Sequence, residues 1–336
     1  MPNILELFDQ KSILDYVNNR QYPALLGEQL FPERKVQGLE FDMLKGGSKV
    51  PIIASVHAFD TEAEIGSREA SKQAMELAFI KRKMQLREKD LIALRNPRTP
   101  AEQAFLEKQV YHDLDVLIAG VRARVEAMRM EALAEGTITL DENNLEATIS
   151  YHVPKDHQEE LVGETLWSEP TSDPIEDLTR WSETLDGVPT RILTSTPVRS
   201  ALLKHPKVLK LFKTVGVLPT IDNLNSVLSQ LGLPKIAVYD QKYRKQQADG
   251  AYQIKRYFPS NRLVMMGDEL LGETLYGDTP EESRLLASGS NDYKVGQVFA
   301  TLYESNLDPV GTWIKAAATA FPSFPAADEV FQAKVL

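Results

Sequence analysis

A chain of 336 residues, 43% of them hydrophobic, can bury one elaborated core or two ordinary ones and does not have the composition of a disordered segment. Its net charge of −10 argues against a general electrostatic grip on nucleic acid or anionic membrane, and the absence of cysteine excludes disulfides, thiolate catalysis and cysteine-ligated metal centres. The opening MPNILELFDQKSILDYVNN carries acids early, and no apolar run approaches the ~20 residues of a membrane-spanning helix, so a soluble protein made in a cytoplasm is expected.

Residues 1–35 read as an N-terminal arm. Ile4, Leu5, Phe8, Ile13, Leu14 and Val17 line one side of a short amphipathic helix, which Tyr22-Pro23 and Phe31-Pro32 break. So short a helix is marginal alone, which predicts that the arm packs on another surface. From Val36 to Phe59, Leu39, Phe41 and Met43 alternate with acids, Lys45-Gly46-Gly47-Ser48 intervenes, and Val50, Ile52, Ala54 and Val56 alternate again. This is a β-hairpin pattern with a glycine turn. With about ten residues per arm it projects ~33 Å, and a two-stranded ribbon of that length needs a surface to lie on.

A mixed segment rich in Lys and Arg, from Lys81 to Arg98, precedes the strongest local signal. Thr99-Pro100-Ala101-Glu102 is a capping box with proline at the first helical position. Behind it Phe105/Leu106, Val110, Leu114, Leu117/Ile118, Val121, Val125, Met128 and Ala132 recur at helical spacing until Gly136. One helix of this extent reaches ~52 Å, about the diameter expected of a compact chain of this length, so an elongated or flattened molecule with the helix as its spine is expected.

Ile138 to Tyr151 reads as a second hairpin around Asp141-Glu142-Asn143-Asn144, expected to join a sheet beside the helix. Residues 153–173 are acidic and read as a loop or inter-domain crossing. A new unit starts at the cap pattern Asp173-Pro174-Ile175-Glu176. Strands are expected at Thr190–Ser195, Ile236–Tyr239, Tyr252–Phe258 and Leu263–Met266, with helices after Thr196-Pro197 and over Thr220–Leu231. Beyond Gly277 the chain reads as loop-rich, then extended at Val298–Tyr303, Trp313–Ala317 and Glu329–Val335. Helices and strands mix without regular βαβ alternation, which gives an α+β fold class.

The chemistry-bearing motifs are missing. No glycine-rich nucleotide cradle appears, and Ser195 lacks the nucleophile-elbow context. His57, His112 and His205 are scattered, and His152 and His157 with Asp156 match no common zinc spacing, Pro154 keeping them off one helix face. The acids of 156–186 read as a solvated face. The basic residues of 81–98 are interrupted by Glu88 and Asp90 without interleaved aromatics, and Lys204, Lys207, Lys210 and Lys213 read as one side of an amphipathic helix. No catalytic, cofactor-binding or metal residue is nominated.

The order of parts (arm, glycine-tipped hairpin, long capped helix, short hairpin, α+β insertion, late strands) resembles the major capsid proteins of tailed bacteriophages, and in sequence the capsid protein E family typified by phage lambda. Four stretches carry the likeness. Glu131-Ala132-Leu133-Ala134-Glu135-Gly136 with the following hairpin resembles the family's spine-to-sheet junction, and Asp173-Pro174-Ile175-Glu176-Asp177-Leu178 the start of its axial domain. Tyr257-Phe258-Pro259-Ser260-Asn261-Arg262-Leu263-Val264 with Met266-Gly267 is similar to its late strand pair, and Phe324-Pro325-Ala326-Ala327-Asp328-Glu329-Val330 to its closing segment. Residues 60–98 match poorly.

The resemblance implies a division into an arm (1–35), an extended β-hairpin loop (36–75), a peripheral domain with its spine helix (76–172), an axial domain (173–277) and a return to the peripheral domain (278–336). It implies a structural protein, without catalytic residues or cofactors, that self-assembles into an icosahedral head shell around double-stranded DNA. The implied partners are further copies of itself in pentamers and hexamers, a separate scaffolding protein, a portal at one vertex and a decoration protein, with only weak, non-specific contact to packaged DNA and none to membrane. The virion is its implied location. The residues alone leave open an acidic cytoplasmic α+β enzyme, hydrolase-like, using the acids of 156–186, or another head or tail component.

Overall fold

The structure, a computed structural model, describes residues 8–38, 40–45, 71–95, 97–142, 145–247, 249–287, 295–305 and 311–336. They fall into two compact units: one within Met1–Phe41, Ala74–Glu126 and Glu273–Ser323, the other within Asp42–Gln73, Ala127–Gly272 and Phe324–Leu336.

The long helix spans Pro100–Glu135, as its start and stop signals predict. Thr99 Oγ1 accepts from Glu102 N at 3.1 Å, the forward half of the capping box, while the Glu102 carboxylate accepts from Arg98 N, one residue before the cap, at 2.8 Å. The predicted stripe from Leu106 to Ala132 is buried, whereas Phe105 is 66% exposed. At the C-terminus Gly136 has φ +67°, and a Cβ there would stand 2.7 Å from Val153 Cγ2, so glycine alone fits. Gly136 N donates to Ala132 O at 2.9 Å and Gln332 Nε2 to Leu133 O at 2.8 Å, which satisfies carbonyls that a helix end otherwise leaves bare.

In the first unit the 13-residue strand Gly311–Ser323 pairs antiparallel with Glu273–Gly277, Phe299–Ser305 and Ala78–Gln85, and Glu33–Lys35 adds parallel to Glu273–Gly277. The surface that the arm requires lies in its own chain. Asp9 caps the helix Gln10–Asn19, Phe8, Ile13, Leu14 and Val17 are buried, and Gln10 Nε2 donates to Ala300 O at 2.7 Å. Phe8 and Tyr16 meet the Tyr111 ring at 5.5 and 4.4 Å.

The second unit holds a mixed five-stranded sheet in the order Gln158–Glu160, Phe331–Lys334, Arg262–Met266, Arg191–Thr194, Lys235–Val238. Its helices start on side-chain caps: Asp173 for Pro174–Thr184, Ser195 for Thr196–Lys204, His205 for Pro206–Val215 and Thr220 for Ile221–Gln230. Trp181 is fully buried between Trp167 and Phe331, with ring centroids 5.7 and 5.3 Å away, among Leu178, Leu202, Phe212 and Leu228.

Several features depart from the sequence reading. The acidic crossing contains the strand Gln158–Glu160, which runs parallel to the C-terminal strand, and Leu161 and Trp167 are buried beyond it. The chain's end does not stay with one unit: Phe299–Ser305 and Gly311–Ser323 lie in the first, while Phe331, Ala333 and Val335 complete the core of the second. The hairpin Thr137–Glu142/Leu145–Ser150 forms as expected but stands as its own two-stranded sheet. The loop-rich region after Gly277 contains the helix Pro280–Ala287.

The strand Glu40–Lys45 also forms, and its partner is Ser71–Glu76. The expected return arm at Val50 to Val56, with its glycine turn, lies outside the described residues. Both flanks of this two-stranded sheet are anchored at one place. Val36 N donates to Tyr276 O at 2.7 Å, and a Cβ on Gly277 would stand 2.6 Å from both Gly38 O and Leu77 Cδ1, so the close approach needs glycine.

Candidate functional site

The residues weighed for chemistry have structural employment. Ser195 is buried, accepts from Val198 N at 3.4 Å and donates to Ser260 O at 2.6 Å. Buried His205 approaches Ser172 Oγ at 3.1 Å, a geometry that invites a nucleophile–base reading. However, His205 Nδ1 accepts from Lys207 N at 3.3 Å, which places the neutral ring's proton on Nε2, facing Ser172 Oγ and Glu169 O. Ser172 Oγ itself donates to Glu169 O at 2.8 Å, so the imidazole cannot serve it as a base.

The less exposed acids of 156–186, Glu159, Asp173 and Asp177, are clamped, whereas Glu164, Glu169, Glu176 and Glu183 are exposed. Glu159 accepts from Arg180 at 2.7 and 3.1 Å and from Trp181 Nε1 at 2.5 Å, while Asp177 accepts from Trp167 Nε1 and Arg180, both at 2.9 Å. Burial pushes the Glu159 carboxyl up, but these hydrogen bonds outweigh it and hold it below its usual value. Asp173 is held low in the same way, against its own burial, by Lys207 and the helix N–H of Glu176. A general acid requires the opposite shift.

Glu282 is a buried carboxyl pushed upward by desolvation, yet Lys35 Nζ grips both its oxygens at 2.6 and 2.8 Å. That pair ties the strand Glu33–Lys35 to the helix Pro280–Ala287. His152 is exposed at φ +53° and His157 is buried; His57 is not among the described residues. Among the described residues no group of three or more His, Asp or Glu is placed to hold a metal, and no helix is long and apolar enough to cross a membrane.

A cleft of about 220 Å³ in the first unit is lined by Val17, Arg20, Tyr22, Ile118, Arg122 and Tyr276. Its polar groups answer one another: Arg20 and Tyr22 reach Asp115 at 3.2 and 3.0 Å, and Arg122 reaches Glu28 at 2.5 Å. Tyr22's phenol is pushed well up by burial and by Asp115. These contacts hold the N-terminal segment to the long helix, which explains the charges without a ligand.

The basic stretch is partly a strand. Lys81 and Lys83 project from Ala78–Gln85, with Lys83 Nζ 4.4 Å above the Trp313 ring and Lys81 Nζ 5.1 Å above Phe79. Trp313 comes from the paired strand more than two hundred residues away, so no local signal could have disclosed it. A lysine already seated on the ring leaves no open platform for a base. Lys207 pairs with Asp173 at 2.9 Å, and Lys210 and Lys213 are exposed opposite buried Val208 and Phe212 on the helix Pro206–Val215, whereas Lys204 ends the preceding helix because His205-Pro206 starts a new one, so the four lysines do not share one helix.

What the molecule offers instead is extended structure outside its cores. Glu40–Lys45/Ser71–Glu76 and Lys242–Gln246/Tyr252–Arg256 are two-stranded sheets that join neither five-stranded sheet. Two-stranded ribbons of this size are marginally stable without a surface to pack on.

Comparison with known proteins matches this character. Residues 9–335 match the family model for phage major capsid protein E. The fold is shared with a prophage protein of E. coli CFT073 assigned as a capsid protein, at TM-score 0.66 and 15% identity over 100% of this chain and 99% of that one. It is also shared with a phage-related protein of Bordetella bronchiseptica RB50, at TM-score 0.53 and 14% identity over 96% and 95% of the two chains. No curated protein matches. The chain therefore belongs to the phage major capsid protein E family: it is a structural, self-assembling subunit of the phage head shell, carried in the virion, and not an enzyme.

Proposed function

We propose that the chain builds an icosahedral shell through three kinds of contact, each using a different part. Residues 36–75 act as the extended loop laid over a neighbouring subunit. The observation that carries this is the pairing of Glu40–Lys45 with Ser71–Glu76 apart from both larger sheets, on flanks anchored at Gly277. Residues 173–277 act as the axial domain, gathered into pentamers and hexamers by a head-to-tail interface, which suits a closed shell because such contacts close into rings. Residues 76–172, with the long helix, and the returning residues 278–336 act as the peripheral domain between capsomers.

A separate scaffolding protein, a portal at one vertex and a decoration protein are the further partners on this reading, with assembly in the host cytoplasm. Packaged DNA meets the wall only weakly, in keeping with a chain of net charge −10. Expression of the chain alone and with the candidate scaffolding protein, each followed by electron microscopy, tests the partner assignment. Aberrant sheets or tubes alone and uniform closed shells with scaffolding are expected; uniform shells from the chain alone would remove the scaffolding requirement.

A further inference from the structure

The ribbon Lys242–Gln246/Tyr252–Arg256 has one face turned to its own unit and one turned out. Tyr243 meets the Tyr257 ring at 5.1 Å and Lys245 Nζ reaches Glu142 at 2.6 Å, which defines the inner face. The register pairs Arg244 with Ile254 and Gln246 with Tyr252, so these residues, with Lys242, share the outer face. All are exposed, Ile254 at 66% and Tyr252 at 56%, and Arg244 lies 5.3 Å from the Tyr252 ring.

Charge singles out this ribbon. Residues 242–256 carry Lys242, Arg244, Lys245, Lys255 and Arg256 against Asp249, net +4 within a chain of −10, which leaves −14 on the rest. Lysine and arginine alone could be explained as protection of an exposed strand edge against unwanted pairing. That explanation predicts a polar outer face, and an isoleucine and a tyrosine at its centre contradict it. Exposed apolar and aromatic groups ringed by cations are the make-up of an interface core with a charged rim.

From this we infer that the outer face of the ribbon, centred on Arg244, Tyr252 and Ile254, docks onto the acidic surface of residues 156–186 in a second copy of the chain. That surface carries the exposed Glu164, Glu169, Glu176 and Glu183 together with the exposed Val162, so it offers the opposite charge and an apolar side chain beside it. Donor ribbon and acceptor surface sit at different places in one unit, so the contact is head-to-tail. Nucleic acid answers the cations but leaves Ile254 without a partner, which favours the second copy. This deepens the axial-domain assignment above and rests on it.

Because the chain contains no cysteine, Ile254→Cys introduces a single thiol. Maleimide labelling of that variant is compared between assembled shells and subunits dissociated from them. Labelling in shells is expected to be about tenfold slower or more, since an interface core excludes solvent. Carbodiimide coupling of shells assembled from mixed light and heavy-isotope subunits is expected to give cross-copy peptides joining 242–256 to 156–186. Equal labelling in shells and subunits overturns the contact while leaving the shell intact as a reading. Protection that is lost on nuclease treatment, or coupling only to a different protein, overturns the identity of the partner. A complete absence of particles sinks the shell assignment and this contact together.

Discussion

Removal of residues 46–70, with Lys45 joined to Ser71 by a short Gly/Ser linker, is expected to abolish shells while leaving a folded, soluble subunit. The segment is bounded by paired strands, and its flanks are fixed by the Val36 hydrogen bond to Tyr276 and by the contacts of Gly38 and Leu77 with Gly277, none of which the deletion touches. Shortening the connection between the paired strands from 25 residues to a few changes closure entropy by only about 1–2 kcal/mol, in the stabilising direction. Folding therefore survives, and what disappears is the contact with a neighbour. Circular dichroism and sedimentation of the variant make the comparison, and shells of normal size and yield would contradict the loop assignment.

The largest effect on stability is expected at Trp181. Its ring lies between Trp167 and Phe331 at interplanar angles of 23° and 21°, and its Nε1 donates to Glu159. Trp181→Ala is expected to destabilise the unassembled subunit by about 3–5 kcal/mol, the range for deleting a large aromatic from a packed core. Trp181→Phe keeps most of the stacking and loses the hydrogen bond to a charged acceptor, for about 1–3 kcal/mol. Because Phe331 lies on the C-terminal strand, the alanine variant also loosens the strand that holds the sheet of the second unit together. Chemical denaturation followed by far-ultraviolet circular dichroism separates the two variants. A cost below about 1 kcal/mol for alanine would mean that the stack is not the centre of that core.

What could be read from the sequence was mostly what is local. Thr99-Pro100 and Gly136 mark the long helix because capping chemistry and a left-handed glycine act within one turn of the chain. The hairpin at 137–150 shows itself by alternation across a short turn. By contrast, Ser71–Glu76 has no apolar alternation, so nothing local marks it as the partner of Glu40–Lys45, whereas alternation is clear at Val50 to Val56.

Ala78–Gln85 was hidden for a related reason. Its Lys81-Arg82-Lys83 run resembles a solvated stretch until Trp313 arrives from the paired strand. Gln158–Glu160 is polar throughout and is held by main-chain pairing with a strand some 170 residues later, which no periodicity reports. The candidate site follows the same pattern. The local motifs for catalysis were missing, whereas Glu159, Asp177 and His205 acquire their structural roles only from distant partners.

The central claim, that this chain is the building block of a shell, is tested most directly by negative-stain electron microscopy of the overexpressed protein, with sedimentation of the same sample. Curved sheets, tubes or five- and sixfold rings are predicted from the chain alone, and closed particles when the candidate scaffolding protein is co-expressed. A uniform small monomer that persists when the candidate scaffolding protein is co-expressed would contradict the account.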